Sequence, residues 1–116
     1  MALVLVVDDE ALVRMNAVDM IEHAGHLVIE AADADEAIRI LEGRTDIEIV
    51  FSDVSMPGSM DGLRLLHLIR ARWPPIRLIL ASGKNLPDGA KTPEGSVFLC
   101  KPYSLGDVIG ALARAA

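Results

Sequence analysis

Five polar residues in a largely apolar chain have the types and placement that suit phosphoryl chemistry. Asp8 and Asp9 follow the apolar run Leu3 to Val7, Asp53 follows Ile47 to Ser52, Ser82 follows Leu78 to Ala81, and Lys101 follows Val97 to Cys100. If those runs are neighbouring parallel strands, three carboxylates gather at one edge, repel one another and call for a cation. Mg²⁺ is a hard ion that takes carboxylate, water and phosphate oxygens, with Mn²⁺ as a substitute. An aspartate beside such a metal can act as a nucleophile and form an aspartyl-phosphate, provided positive charge offsets what develops on the transferred group. Lys101 and Ser82 are of the right kinds to assist. Any one acid at a strand end is more simply a cap or a solvated turn residue. Five matching positions at the ends of four runs favour a site.

The runs that must position these residues read as buried strands. Leu3 to Val7 is rich in β-branched residues and stops abruptly at the acids, as an internal parallel strand should. A helix is expected from Ala11 to Ala24, with Leu12, Val13, Met15, Val18, Met20 and Ile21 near helical spacing and Gly25 as its stop. A short second strand spans His26 to Ala31, and Asp33 can cap a helix through Leu41 with Ala37, Ile38 and Leu41 inward, ended by Gly43. After the third strand and the turn-forming Pro57, Gly58 and Ser59, a helix from about Gly62 to Arg72 turns Leu63, Leu66 and Ile69 inward and halts at Trp73-Pro74-Pro75. Asp61-Gly62 opens it. Strands four and five follow, and Ser104 can cap a last helix through Ala113. Alternating strands and helices imply a doubly wound α/β fold with five parallel strands in the order 2-1-3-4-5, whose ligands sit beyond the carboxyl ends of the strands.

Composition narrows the function classes. The 116 residues suit one domain, spanning residues 1–116. At 52% hydrophobic and 24% charged, the chain is not of a disordered type. A net charge of -6 without clustered Lys and Arg disfavours nucleic acid as a partner. Cys100 is the single cysteine, so no internal disulfide or thiolate cage can form, which suits a reducing cytoplasm. No signal peptide and no apolar stretch of membrane-spanning length is present, so no membrane partner is expected.

The motifs VVDDE, FSDVSMPGSMDG, LILASG and FLCKPY, in that order and along the whole chain, resemble the receiver domains of bacterial two-component response regulators. The resemblance implies that Asp53 is the phosphoacceptor, Asp9 a direct Mg²⁺ ligand, Asp8 a ligand mainly through water, and the Ser55 backbone carbonyl a further ligand. It implies that Ser82 is the switch hydroxyl, Lys101 the charge partner of the phosphoryl group, and Phe98 the aromatic rotamer switch. Pro102 matches the proline that follows the lysine, often through a cis bond, an isomer the sequence does not reveal. The implied donor is a sensor histidine kinase or a histidine phosphotransfer protein. Output would pass by protein contact or phosphorelay to an unidentified protein, and a phosphorylation-dependent dimer through surfaces near the fifth strand stays open. Such a receiver is no enzyme beyond assisting its own phosphotransfer and dephosphorylation. A start at Met1 and an end just after the last helix favour a stand-alone receiver.

Two departures from the family pattern stand out. The loop after Asp53 is one residue longer than the commonest form. Between Ser82 and Phe98, where a fourth helix is usual, KNLPDGAKTPEG sets Pro87, Pro93, Gly83, Gly89 and Gly95. Proline costs about 3 kcal/mol and glycine about 1 kcal/mol inside a helix, so a loop or single turn is expected there. Other residues have simpler readings. Cys100 in an apolar strand is expected to be inert core, Glu10 to add weakly to the acidic cluster, and His23, His26 and His67 share no metal-ligand spacing. Two other functions would use parts of the same pattern. A Mg²⁺-dependent phosphatase with an aspartyl-phosphate intermediate would normally carry a second acid two residues after the nucleophile, which Asp53-Val54-Ser55 lacks. A degenerate receiver that binds partners without phosphate is suggested only by the unusual segment from Gly83 to Ser96.

Overall fold

The computed structural model describes residues 1–54, 62–83 and 92–115. Five strands, β1 (Leu3–Val7), β2 (Leu27–Ala31), β3 (Ile49–Asp53), β4 (Arg77–Ser82) and β5 (Val97–Cys100), form one parallel sheet in the order β2-β1-β3-β4-β5. The helices among the described residues are α1 (Ala11–His23), α2 (Ala34–Gly43), α3 (Gly62–Arg72) and α4 (Leu105–Ala115).

Strand alternation explains the two-faced core. Leu5 and Val7 of β1, Val50 of β3 and Leu78 and Leu80 of β4 pack under α2 and α3, with Leu41, Leu65, Leu66 and Ile69. Val4 and Val6, Ile49 and Phe51, and Ile79 and Ala81 pack under α1 and α4, with Ala17, Ile21, Val108 and Leu112. Both faces are covered, which is why the central strands read as unbroken apolar runs. Strand boundaries differ from the expected ones by one or two residues, since β3 takes in Asp53 and β4 takes in Ser82.

Helix ends follow local chemistry. Gly25 has φ 96°, and the pair of bonds Gly25 N–H to Glu22 O (2.9 Å) and His26 N–H to Ile21 O (3.2 Å) closes α1 in a left-handed turn that glycine adopts without penalty. Asp33 caps α2 by accepting from the Glu36 N–H at 2.8 Å. Ser104 and Asp107 form a reciprocal capping box at α4, at 3.1 and 2.9 Å.

Two expectations are corrected and one is extended. Leu12 and Met15 of α1 are exposed by 77% and 56%, because the line of the helix that faces the sheet runs through Ala17 and Ile21, four residues apart, with Val18 and Met20 packed at its side. In α3 the expected Leu66 and Ile69 are buried and Leu63 packs half-buried against the same core, which Leu65 joins in addition. Cys100 is exposed and not core, because β5 is the edge strand and its outward positions lack a strand beyond them. The expected irregular segment between Gly83 and Ser96 lies mostly outside the described residues; its described end is a turn at Glu94 and Gly95, where the Ser96 N–H donates to the Pro93 carbonyl.

Candidate functional site

The register of the sheet brings the acids together. Val7 pairs with Ser52, so the residues that follow, Asp8 and Asp53, leave adjacent strands side by side. Asp53 pairs with Ala81, and Ser82 pairs with Cys100, so Ser82 and Lys101 lie one step further along the same edge. This is the carboxyl edge, and β1 and β3 flank the point where the chain switches from building outward on one side to building on the other.

Carboxylate oxygens of Asp8, Asp9 and Asp53 lie within 4.8 Å of one another. Lys101 Nζ stands 3.3 Å from Asp53 Oδ2 and 3.5 Å from Asp8 Oδ2. The side chains of Asp8 and Asp53 are only 6% and 9% exposed, so their charges are poorly screened by water, whereas Asp9 opens to solvent. One lysine against three carboxylates leaves the cluster short of positive charge. An all-oxygen donor set of this kind fits a hard divalent ion such as Mg²⁺ and disfavours soft metals.

Asp8 is held at every polar atom the site needs. Its N–H donates to the Ala31 carbonyl of β2 at 3.1 Å, its Oδ1 accepts from the Glu10 N–H at 2.9 Å, and its carbonyl accepts from Arg14 Nη1 at 2.7 Å. Glu10 thus contributes a backbone group, and its exposed side chain is not part of the cluster. The Val54 N–H donates to the Ala81 carbonyl at 2.9 Å and the Lys101 N–H to the Ser82 carbonyl at 2.8 Å, which carries the ladder into the site.

Of the remaining expected residues, Ser82 is buried at the end of β4, and Phe98 on β5 is 39% exposed, so it faces outward and does not belong to the core. The Lys101–Pro102 bond is cis. Ser55 lies outside the described residues. His26 Nδ1 accepts from the Ala2 N–H at 2.9 Å at the far end of β1, away from the acids. A cavity of about 850 Å³, lined by Leu41, Trp73, Ile76 and Arg77 among others, opens at the amino edge of the sheet and holds none of the site groups.

Sequence reasoning missed three residues. Tyr103 follows the Lys-Pro pair, stacks edge-on to Phe51 with ring centres 5.7 Å apart, and has a buried hydroxyl with no hydrogen-bond partner among the described residues. Burial, helped by the charges of Asp8 and Asp53, pushes that phenol up to about 12. Gly62, the first residue of α3, donates its N–H to the Val54 carbonyl at 2.8 Å, directly behind Asp53. Arg14 gives little signal by type, because an arginine one turn into a helix usually faces water. Only its position six residues after Asp8 hinted that it could turn back on the strand end.

Comparisons with known proteins agree with this geometry. The family model described as "Response regulator receiver domain" matches residues 4–113. The chain is 43% identical over 112 residues to the sensor kinase CckA of Brucella abortus, covering 90% of this chain and 11% of that protein. It is 34% identical over 115 residues to the transcriptional regulatory protein PdtaR of Mycobacterium tuberculosis, covering 97% of this chain and 55% of that one. The chain therefore spans about half or less of these relatives. A crystal structure of a response regulator receiver domain protein from Clostridium thermocellum superposes with a TM-score of 0.84 at 27% identity, covering 99% of this chain and 94% of that one. No helix among the described residues is long and apolar enough to cross a membrane.

Proposed function

The chain belongs to the response regulator receiver domain family, and on that premise we propose that Asp53 accepts a phosphoryl group from a phosphohistidine of a sensor histidine kinase or phosphotransfer protein. Receiver domains are signalling modules of two-component systems and not enzymes in the usual sense. The observation that supports the reading most is the meeting of the Asp8, Asp9 and Asp53 carboxylates within 4.8 Å, with Lys101 Nζ 3.3 Å from Asp53.

In this reading Asp8, Asp9 and Asp53, together with the Ser55 carbonyl, hold Mg²⁺. The ion neutralises charge on the phosphoryl oxygens when bound. An Asp53 carboxylate oxygen attacks the phosphorus while the P–N bond to the donor imidazole breaks, and the electron pair returns to that nitrogen, which takes a proton. Lys101, poised between Asp53 and Asp8, follows the negative charge onto the new phosphoryl group. Ser82 lies buried one step beyond the Asp53 pairing partner Ala81, and in this reading it turns its hydroxyl toward that group. The roughly -1.5 to -2 charges added at Asp53 then favour an active population in which Ser82 and the outward Phe98 take up new positions. Pro102 shapes the turn that delivers Lys101. The domain spans residues 1–116, works in the cytoplasm, and passes the signal by protein contact, relay or phosphorylation-dependent pairing.

Incubation with acetyl phosphate and Mg²⁺, followed by intact-mass analysis, tests the proposal. The wild type should gain one phosphate-sized mass, and Asp53→Asn should gain none. A wild type that stays unmodified under several small donors and with a histidine-phosphorylated partner would leave only the phosphate-independent interaction module.

A further inference from the structure

We propose that Arg14 is a positioning residue for the cation site, fixing Asp8 by tying its backbone carbonyl to Glu30 on the neighbouring strand. This rests on the reading of the acidic cluster as a Mg²⁺ site. Arg14 Nη1 donates to the Asp8 carbonyl at 2.7 Å while Arg14 Nε donates to Glu30 Oε1 at 3.1 Å. Its side chain is 19% exposed, and the Glu30 side chain 48%. The guanidinium therefore lies along the protein surface, its fork shared between the end of β1 and the end of β2.

The arrangement matters because Asp8 stands one residue beyond the last ladder pair of β1, Val7 with Ala31. Its N–H still reaches the Ala31 carbonyl, but its own carbonyl has left the ladder and takes its bond from Arg14. With both faces of the Asp8 peptide linked to Glu30 and Ala31, the carboxylate is set so that Oδ1 meets the Glu10 N–H and Oδ2 faces Lys101. Arg14 is itself anchored, since its N–H donates to the Glu10 carbonyl at 2.8 Å in the first turn of α1. Arginine serves the two acceptors from two nitrogens held rigidly in one plane, whereas a lysine would have to reach both from a single nitrogen on a flexible stem.

Electrostatics and positioning predict opposite signs, which makes the proposal testable. A cation beside three carboxylates opposes metal binding by Coulomb repulsion, so removing it should tighten binding if charge alone matters. If Arg14 sets the geometry, removing it should weaken binding, as loss of a group that orients a metal ligand typically does by tenfold or more. The experiment measures Mg²⁺ dissociation constants by titration calorimetry on the whole chain and on Arg14→Gln, Arg14→Lys and Glu30→Gln, with melting curves of each. Arg14→Gln should bind Mg²⁺ about tenfold more weakly. Arg14→Lys should also bind more weakly although it keeps the charge, and Glu30→Gln should lose less. In acetyl phosphate reactions the defect of Arg14→Gln should vanish at saturating Mg²⁺. Unchanged or tighter Mg²⁺ binding in Arg14→Gln would overturn the proposal, and should that variant fail to fold, Arg14→Lys and Glu30→Gln decide it by the same measure. Failure of the wild type to bind Mg²⁺ at all is a different result, which overturns the reading of the cluster itself.

Discussion

Gly62 packs against Asp53 so closely that a Cβ on it would fall 1.5 Å from the Asp53 carbonyl oxygen and 2.9 Å from Val54 Cα. Both obstacles are backbone, so neither can swing aside. The first turn of α3 thus rests directly on the strand end that presents the acid, and only a residue without a side chain permits it. Gly62→Ala must displace either α3 or the end of β3, with a cost of about 3 kcal/mol, at the upper end of ordinary overpacking. Urea denaturation should show the lower midpoint, and phosphorylation by acetyl phosphate should slow in the fraction that stays folded.

Asp9 is the exposed member of the acidic cluster, and its carboxylate has no ion pair with Lys101, which faces Asp8 and Asp53. Asp9→Asn should therefore raise the melting temperature slightly in metal-free buffer by relieving repulsion. The wild type should gain about 2.7 kcal/mol at a Mg²⁺ concentration a hundredfold above its dissociation constant, a gain the variant should largely lose. Melting curves with and without Mg²⁺ measure both effects.

Lys101 neutralises Asp53 and Asp8 at 3.3 and 3.5 Å. Lys101→Met removes a positive charge that competes with the metal, so Mg²⁺ should bind more tightly. The same change deprives the phosphoryl group of its charge partner, and transfer from acetyl phosphate should slow by about a hundredfold, the usual scale for losing one such electrostatic group. Calorimetry and single-turnover phosphorylation, run on one preparation, would show the two effects moving in opposite directions.

Tyr103 is the only tyrosine, which makes its ionisation directly readable from phenolate absorbance. Burial first, then the charges of Asp8 and Asp53, raise its ionisation to about 12 from an ordinary 10.0. The unfolded chain releases this proton at lower pH than the folded one, so stability falls as pH rises from about 10 to about 12 and is unaffected below that window. Tyr103→Phe should abolish this alkaline loss. Because the buried hydroxyl has no partner among the described residues, the same variant should be at least as stable as wild type at neutral pH. Urea midpoints across the alkaline range test both statements.

Much of the fold and of the site was legible in the amino-acid sequence. Apolar runs that stop at Asp8, Asp53, Ser82 and Lys101 are what a parallel sheet covered on both faces requires, and right-handed crossovers then leave few topologies. The period of the helices was harder to read. Leu12 and Met15 look like core by type, yet the sheet face offers α1 room only for Ala17 and Ile21 at closest approach. Cys100 looks buried by its strand, yet β5 is the edge.

Residue types and their order along the chain therefore determined the strands, the doubly wound topology and the five polar positions at one edge, because hydrophobic burial and chain connectivity act through local pattern. Tertiary structure alone decided the distances: Lys101 between two acids, Gly62 against the Asp53 carbonyl, the buried hydroxyl of the half-buried Tyr103, and Arg14 bridging Asp8 to Glu30. Each of these joins elements whose relative placement depends on how side chains of different helices pack on a shared sheet, and no local pattern in the chain encodes that placement.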